Sequence, residues 1–385
     1  MRRRQMVSRR WAGGVKMELT WSSDQEDFRT SVRTFLESRS SVDKARALSE
    51  GDDGFDRQVW AQMAAQLGLQ SMAIPEQLGG AGFGLAEQLI VQEELGRVLY
   101  AGPFLSTIIS TAALLHSDGE ARNALLPDIA DGTAVVVLAE AEDRAFFATV
   151  GLRTHADVDG GTAAVTGVKT WVLDAEIATT FLVTAQSSDG IVVVAVDRDA
   201  DGVAVDVASS LDRTRPLARV TFDHAQGRVV ADASAGADVV EHARDVAVAA
   251  LAAEQLGLAE RCLELAVDYT RVREQFGRPV GSFQSLKHRA ADLLTGVEAA
   301  RSAVIYAAWA ATDEPAELPI AATVAGVQSS TISVQAAQEN LQMHGGIGFT
   351  WEHDAHLYLR RAKSSHVLYG SPTDHRGRLA DLVSL

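Results

Sequence analysis

Two segments in the C-terminal half of this 385-residue chain combine residue types that suit a phosphate-bearing ligand. In REQFGRPVGSFQ, Arg273 stands close to Gln275 and Phe276, and Gln284 follows after a short turn. An arginine is a planar, permanently charged fork that can pair with a diphosphate, and a ring three residues later can lie near the same place at a helix end. The alternative is that Arg273 is a solvated charge at a helix terminus.

The second segment, QMHGGIG, places Gln342 shortly before Gly345 and Gly346. Because glycine has no side chain, a ligand can come close to its backbone and accept hydrogen bonds from the N–H groups. A pair of glycines on its own is more typical of a turn. Together the two segments predict an anion site built from residues that are distant in sequence.

Other candidate chemistry is weaker. His353 and His356 have the i, i+3 spacing of one helix face, but further ligands for a metal site are not identifiable, so we expect no metal and interpret both as surface or interface histidines. The one cysteine, Cys262, is incompatible with an internal disulfide and compatible with a reducing cytoplasm, and its helical surroundings favour a core thiol. Serine-hydrolase, P-loop and Rossmann motifs do not occur in the required context.

Periodicity predicts which elements position these residues. Residues 24–125 show a helical pattern, in which Phe28, Val32 and Phe35 have the spacing of one buried face. From Thr133 onward the pattern changes to short β-branched runs, namely AVVVLAE, TAAVTGVKTWV, TTFLVTAQ, GIVVVAVD and ARVTFD. Long helical patterns return in the C-terminal part.

This order of elements predicts an α+β fold that is mostly α. We expect a helical N-terminal domain at 17–132, a β domain at 133–236 and a four-helix bundle at 237–385, preceded by a disordered tail at 1–16. The formal net charge of −16 argues against nucleic-acid binding, which depends on clustered Lys and Arg. Apolar runs are too short to span a membrane, so we expect a soluble cytoplasmic protein.

Three ordered blocks resemble the acyl-CoA dehydrogenase family. Residues 273–294 match its Arg-x-Gln-Phe-Gly segment and the Phe-Gln that follows, and 339–363 match its Gln-x-x-Gly-Gly-x-Gly-Phe element. Near the N-terminus, WAQMAAQLGLQSMAIPEQLGGAGFGLAEQLIVQEELGR is similar to the family's Trp, Gly-Leu, Pro-Glu, Gly-Gly-x-Gly and Glu-Glu-Leu-Gly pattern. The resemblance covers nearly the whole chain from Met17 and is nearest to the actinobacterial steroid side-chain type, including its base-lacking subunits.

The resemblance implies an FAD enzyme that desaturates an acyl-CoA thioester and passes electrons to an electron-transfer acceptor. In this family the motif residues hold the adenosine diphosphate of an FAD bound by the neighbouring subunit, which implies an oligomer. The residues that take this role by resemblance are Arg273, Gln275, Phe276, Gln284, Gln342, Gly345 and Gly346.

The family's catalytic base is missing from both of its usual positions. Most members carry a Glu in a Tyr-Glu-Gly segment, but here Gly370 follows Tyr369. A minority carry it about ten residues before a glycine corresponding to Gly257, and that position is Ala247. The catalytic residue is therefore unknown.

Two nearby carboxylates, Asp245 and Glu254, flank the second position. Glu254 lies seven residues after Ala247, on the same helix face but roughly 10 Å along the axis, which is too far for direct substitution. We interpret Glu254 as a structural hydrogen-bonding residue.

The β-domain loop that holds the flavin ring in the family is also altered. Ala139, Glu140 and Ala141 stand at its Thr-Glu-Pro positions, and loop 138–147 has no Gly-Ser-Asp. The following strand keeps the Lys-x-Trp pattern, so Trp171 either packs near the flavin ring or fills the core.

Three functions remain open from the sequence. The chain is a subunit of a heterotetramer whose homologous partner carries the base, a self-sufficient homo-oligomeric dehydrogenase with an unrecognised base, or a related flavin monooxygenase or non-catalytic binding protein. The first of these, the heterotetramer subunit, accounts for the absence of the base and of the usual flavin-ring loop from this chain.

Overall fold

A computed structural model describes residues 20–51, 54–117, 119–143 and 146–385. The expected tail at 1–16 lies outside the described residues, as do Arg144 and Ala145 of loop 138–147.

Six α-helices lie in the described residues of the N-terminal part. The first begins at a capping box, in which the Ser22 hydroxyl accepts from the N–H of Gln25 and the Gln25 side chain accepts from the N–H of Ser22. Its predicted face is confirmed, because Val32 and Phe35 are buried and Phe28 packs against the same core. The helices are α1 (Ser23–Arg39), α2 (Val42–Glu50), α3 (Arg57–Leu67), α4 (Leu85–Arg97), α5 (Phe104–Leu115) and α6 (Ala121–Ala130).

Among the residues described next along the chain, seven strands form one sheet. They are β1 (Val136–Ala139), β2 (His155–Asp159), β3 (Thr162–Leu173), β4 (Thr180–Gln186), β5 (Ile191–Asp197), β6 (Val203–Val207) and β7 (Leu217–Ala231). The ladders run β4–β5–β7–β3–β2 and return to β4 through the pair His155 and Gln186, so the sheet closes on itself. Closure leaves few free edges, with β1 added to β4 and β6 to β7.

The central strands are buried on both faces. In β4, Phe181 and Val183 belong to the core enclosed by the closed sheet, whereas Leu182 packs into the larger core shared with the helices. This double burial explains the continuous apolar runs of β4 and β5.

Three long helices, α7 (Gly236–Val272), α8 (Gln284–Asp313) and α9 (Leu318–Met343), form the C-terminal bundle. A hairpin of β8 (Glu274–Gln275) and β9 (Arg278–Pro279) connects α7 to α8. The bundle is completed by α10 (Ala355–Ser365) and α11 (Pro372–Leu382). Helices α7 and α9 run in the same direction, because Gly326 approaches Val248 near their starts and Tyr269 stacks on His344 at their ends.

The predicted α+β fold is confirmed, with two unpredicted strands in the sheet and the short hairpin of β8 and β9 outside it. β2 and β6 were not predicted because most of their residues are exposed and they lack a continuous apolar run. Helix α11 was not predicted either, although its capping box of Ser371 and Asp374 is readable in the sequence.

Candidate functional site

The first predicted segment lies at the end of α7. Arg273 caps that helix by donating its N–H to the carbonyl of Tyr269 at 2.9 Å, and its side chain is exposed. Phe276 and Gly277 then form the tip of the hairpin, both with positive φ, as a two-residue turn between twisted strands requires. The Phe276 ring is 90% exposed and contacts the edge of Phe283 at 6.0 Å between centroids.

The second segment lies at the end of α9. Gly345 follows the helix with φ of 61°, a left-handed conformation that ends α-helices and favours glycine. A side chain added at Gly345 or Gly346 would meet no other atom within 4 Å, so the backbone is open here.

The structure brings the two segments to the same end of the bundle. Tyr269, one turn before Arg273, stacks on His344 at 4.4 Å, next to Gly345. The side chains of Arg289 on α8 and Glu339 on α9 form a 2.6 Å ion pair, five residues after Gln284 and three residues before Gln342. We call the following set the bundle-end surface: Arg273, Gln275, Phe276, Gln284, Gln342, Gly345 and Gly346. All seven residues are exposed except Gly345, which is half-buried.

Trp171 lies apart from that surface, at the side of the β domain. Its side chain is 44% exposed, and its indole N–H donates to the carbonyl of Asp143. Of the two alternatives for Trp171, filling the core disagrees with this exposure, and packing near a flavin ring stays a prediction. Trp171 borders a cavity that is also lined by Glu140 and Ala141, from the loop that the resemblance assigns to the flavin ring.

This ring cavity is almost full. Its volume is about 10 Å³, room for roughly one water molecule. The ring of Phe147 lies 5.2 Å from that of Tyr369, and the ring of Phe146 contacts Tyr369 edge-on at 5.7 Å. Phe147, Trp171 and Tyr369 all have positive φ, a costly conformation for an aromatic residue.

A buried carboxyl group also lines the ring cavity. Glu140 accepts a hydrogen bond from the backbone N–H of Phe147, and burial raises the pKa of Glu140 to about 8. Two residues on, Glu142 pairs with the buried ammonium of Lys169 at 2.8 Å. The altered loop is thus held by the Lys of the Lys-x-Trp pattern.

Neither of the two positions where the resemblance places the base, Ala247 and Gly370, has space for a carboxylate side chain. Ala247 is buried in α7. Gly370 has φ of 117°, and a side chain built there would lie 3.2 Å from His375. Burial, and then the charge of Arg378, lower the pKa of His375 to about 4, so a neutral ring occupies this place at neutral pH.

Of the two acidic neighbours, Asp245 pairs with Arg378 at 2.6 Å. Glu254 is 3% exposed and accepts hydrogen bonds from Gln92 at 2.8 Å and from Arg361 at 3.2 Å. It also pairs with Arg215, so the structural interpretation of Glu254 agrees with its surroundings.

Arg361 extends this buried network to the β domain. Its guanidinium lies 2.6 Å from the carboxylate of Asp212 and donates to the carbonyl of Thr214 at 3.0 Å. Burial opposes ionisation of Asp212, yet Arg361 holds its pKa below the ordinary value. Sequence reasoning did not identify Arg215 and Arg361 as buried, because charged residues in LDRTRP and YLRRAK are typical of solvated segments.

The bundle-end surface fits the diphosphate of FAD, whereas the ring cavity does not fit its flavin ring. The bundle-end surface offers an arginine fork and open glycine backbone to a diphosphate, and both are accessible. The ring cavity has no room for the three-ring flavin, because Phe147 and Tyr369 occupy it. Within the described residues, no group of three His, Cys, Asp or Glu side chains could hold a metal ion. No helix in the described part of the chain is long and apolar enough to cross a membrane.

Comparisons with known proteins identify the family of this chain. Residues 22–133 match the family model for the acyl-CoA dehydrogenase N-terminal domain, and residues 234–383 match that for the C-terminal domain. The acyl-CoA dehydrogenase IpdE2 of Mycobacterium tuberculosis is 35% identical over 365 residues, which cover 95% of this chain and 99% of the relative.

Solved structures show the same fold. The ChsE4–ChsE5 complex from Mycobacterium tuberculosis contains a chain that is 28% identical, with a TM-score of 0.87 over 96% of this chain and 99% of that chain. The butyryl-CoA dehydrogenase of Megasphaera elsdenii, at 22% identity, has a TM-score of 0.88 over 96% of this chain and 100% of that chain. This chain therefore belongs to the acyl-CoA dehydrogenases, a family of FAD-dependent oxidoreductases.

Proposed function

We propose that this chain is the base-lacking subunit of a heteromeric, FAD-dependent acyl-CoA dehydrogenase. Its bundle-end surface completes the flavin site of a homologous partner subunit, and the partner supplies the catalytic Glu. FAD bound there accepts the hydride from the β-carbon of the acyl group.

The single observation that supports the proposal is the contrast between the bundle-end surface and the ring cavity. The residues that reach a neighbour's site are complete and exposed, as Arg273 and Gly346 show. In the chain's own site, Gly370 stands where the resemblance places the Glu, and the rings of Phe147 and Tyr369 fill the space beside the altered loop. A self-sufficient dehydrogenase needs both sites, whereas a completing subunit needs only the bundle-end surface.

Each residue of the bundle-end surface has a defined part in this proposal. Arg273 pairs with the diphosphate, and the N–H groups at Gly345 and Gly346 donate to its oxygens. The exposed ring of Phe276 covers the cofactor from the hairpin, where its left-handed backbone holds it away from its own subunit. Gln275, Gln284 and Gln342 supply further amide donors.

The substrate class we propose is a bulky, steroid-type acyl-CoA, and an electron-transfer protein is the proposed acceptor. Support comes from a solved steroid acyl-CoA dehydrogenase, the Tcur3481–Tcur3483 pair, one chain of which is 28% identical with a TM-score of 0.85. That protein and the ChsE4–ChsE5 complex are both named as pairs of unlike chains.

A second candidate, the self-sufficient homo-oligomer, has one observation in its favour. Glu140 is a carboxyl group at the ring cavity, and its pKa of about 8 is in the range of a general base or acid near neutral pH. Its hydrogen bond from Phe147 and the lack of space beside it weigh against this role.

Activity measurements on separate and combined chains distinguish the two candidates. This chain should be expressed alone and together with a homologous, Glu-bearing dehydrogenase subunit encoded beside it. Acyl-CoA oxidation with an artificial electron acceptor is expected only from the combined chains. Activity of this chain alone, abolished by Glu140→Gln, would instead establish the homo-oligomeric dehydrogenase.

A further inference from the structure

Three aromatic side chains join the ends of α7 and α9. The ring of His344, which caps α9, stacks on Tyr269 at 4.4 Å with an interplanar angle of 30°. Its other neighbour is His353, at 4.3 Å between ring centroids. His344 is 5% exposed, and its Nδ1 lies 2.8 Å from the carbonyl oxygen of Asn340, so the ring has little freedom.

This stack lies between the two phosphate-binding segments of the bundle-end surface. Tyr269 accepts the capping hydrogen bond from the N–H of Arg273, and His344 is bonded directly to Gly345. Arg273 and Gly345 are 72 residues apart in sequence. The stack therefore sets the separation between an arginine and a glycine turn that must both reach one diphosphate.

His353 fixes the far side of the stack through a specific hydrogen bond. Its Nδ1 accepts from the N–H of Ala355, the first residue of α10, at 3.1 Å, so that nitrogen carries no proton. A positive charge on His353 would face the positive end of the α10 dipole. Loss of the accepted hydrogen bond and this repulsion both oppose protonation.

We propose that His344 and His353 are positioning residues that hold Gly345 and Gly346 in register with Arg273 for binding the diphosphate of FAD. The proposal rests on the proposed function of the bundle-end surface. It predicts that flavin retention depends on the neutral form of His353, so that the site weakens on acidification.

The surrounding charges set the pH range of this dependence. Burial, followed by His344, lowers the pKa of His353, while Asp354 acts in the opposite direction. His356 and Arg46 add smaller repulsion. In the same segment, Glu352 precedes His353, and the guanidinium of Arg360 lies 4.9 Å from the centroid of the Trp351 ring.

The direction of the pH dependence of FAD binding follows from this lowered pKa. In the folded complex His353 gains a proton only as the pH falls through its folded-state pKa, which lies below the ordinary value of about 6.5. FAD binding should therefore be unaffected at neutral pH and weaken only in the acid range below about pH 6.5.

The test is the dissociation constant of FAD for the assembled complex between pH 8 and pH 5.5, measured by flavin fluorescence. His344→Ala, which removes the stack, should weaken FAD binding about tenfold at pH 8. His353→Asn keeps a short side-chain acceptor for the Ala355 N–H but does not titrate, so binding should stay near wild type at pH 8 and lose its steep decline in acid. The control is His155→Asn, on an exposed strand of the β domain, which should behave as wild type throughout.

The outcomes separate this proposal from the proposed function. If the wild-type complex retains FAD but His344→Ala binds it equally well, or His353→Asn keeps the wild-type pH profile, the positioning role is wrong. If Arg273→Ala also leaves FAD binding unchanged, the bundle-end surface itself is not the flavin site. Thermal unfolding of each variant shows whether weaker binding reflects only a loss of folded protein.

Discussion

The rings of Phe147 and Tyr369 lie 5.2 Å apart at the ring cavity, which borders the loop that the family resemblance assigns to the flavin ring. Phe147 comes from the loop after β1 and Tyr369 from the segment between α10 and α11, so two distant parts of the chain fill this space together. Both are in the left-handed region, with φ of 51° and 60°. A ligand could enter only if both rings moved.

Arg273→Ala should weaken the binding of FAD to the assembled complex about 10- to 100-fold. A charge-assisted hydrogen bond to a phosphate contributes on the order of 1.5–3 kcal/mol, which corresponds to that range. The measurement is the flavin content after gel filtration. Arg271→Ala is the matched control, because Arg271 is also exposed near the end of α7 but pairs with Asp268 at 3.5 Å. Equal flavin loss in both variants would contradict the assigned role.

Gly370→Glu should not create an active site in this chain. The new residue would adopt φ of 117°, and its Cβ would lie 3.2 Å from the ring of His375. We therefore expect a lower Tm and no acyl-CoA oxidation by the chain alone. Gly377→Glu is the control, since this exposed helical position has no atom within 4 Å of an added Cβ and its Tm should not fall. Dehydrogenase activity of the Gly370→Glu chain alone would show that only the base was missing.

Glu254→Gln should destabilise the fold without removing a catalytic base. The change leaves the buried guanidinium groups of Arg215 and Arg361 with less negative charge, and disrupting a buried ion pair costs roughly 3–5 kcal/mol. Chemical denaturation should show this loss, while the rate of the native complex stays within roughly tenfold. The control is Glu298→Gln, whose exposed carboxylate is 3.6 Å from Arg301 and should contribute little. A rate loss of several thousandfold would identify Glu254 as the base.

Acidification should destabilise the chain through the buried His375 and the half-buried His242. Burial, then Arg378, lowers the pKa of His375 to about 4, and burial, then His116, lowers that of His242 to about 4. The unfolded chain binds protons at about pH 6.5, so the stabilising contribution is complete above that pH and is lost as the pH falls toward 4.

Tm measured from pH 7.5 to pH 4.5 tests this expectation. The decrease in Tm should be smaller for His375→Gln than for wild type. His224→Gln, at an exposed position of β7 beside Asp223, should follow the wild-type curve. An unchanged decrease for His375→Gln would exclude His375 as a source of the acid sensitivity.

Periodicity was sufficient to predict the order of helices and strands, because most elements bury a continuous face. The predicted face of α1 is one example, and the apolar runs of β4 and β5 are another. β2 and β6 were missed because they are held by backbone pairing with β3 and β7 rather than by an apolar pattern.

The sequence also indicated which site residues are replaced, but not what takes their place. The loss of the base at Gly370 and Ala247 can be read from the motifs. The filling of the cavity by Phe147 and Tyr369 depends on the left-handed backbone of both residues, which aromatic side chains rarely adopt and which no local pattern predicts. The contact of Arg361 with Asp212 joins residues 149 positions apart, so it too requires the fold.

The most direct test of the two-subunit account is the amount of FAD per chain, measured by absorbance after gel filtration. The account predicts that this chain alone is nearly colourless and inactive, and that the complex with a Glu-bearing partner holds one FAD per pair of unlike subunits. The Arg273→Ala complex should lose most of that flavin. Close to one FAD per chain in the isolated protein, together with oxidation of an acyl-CoA, would contradict the account.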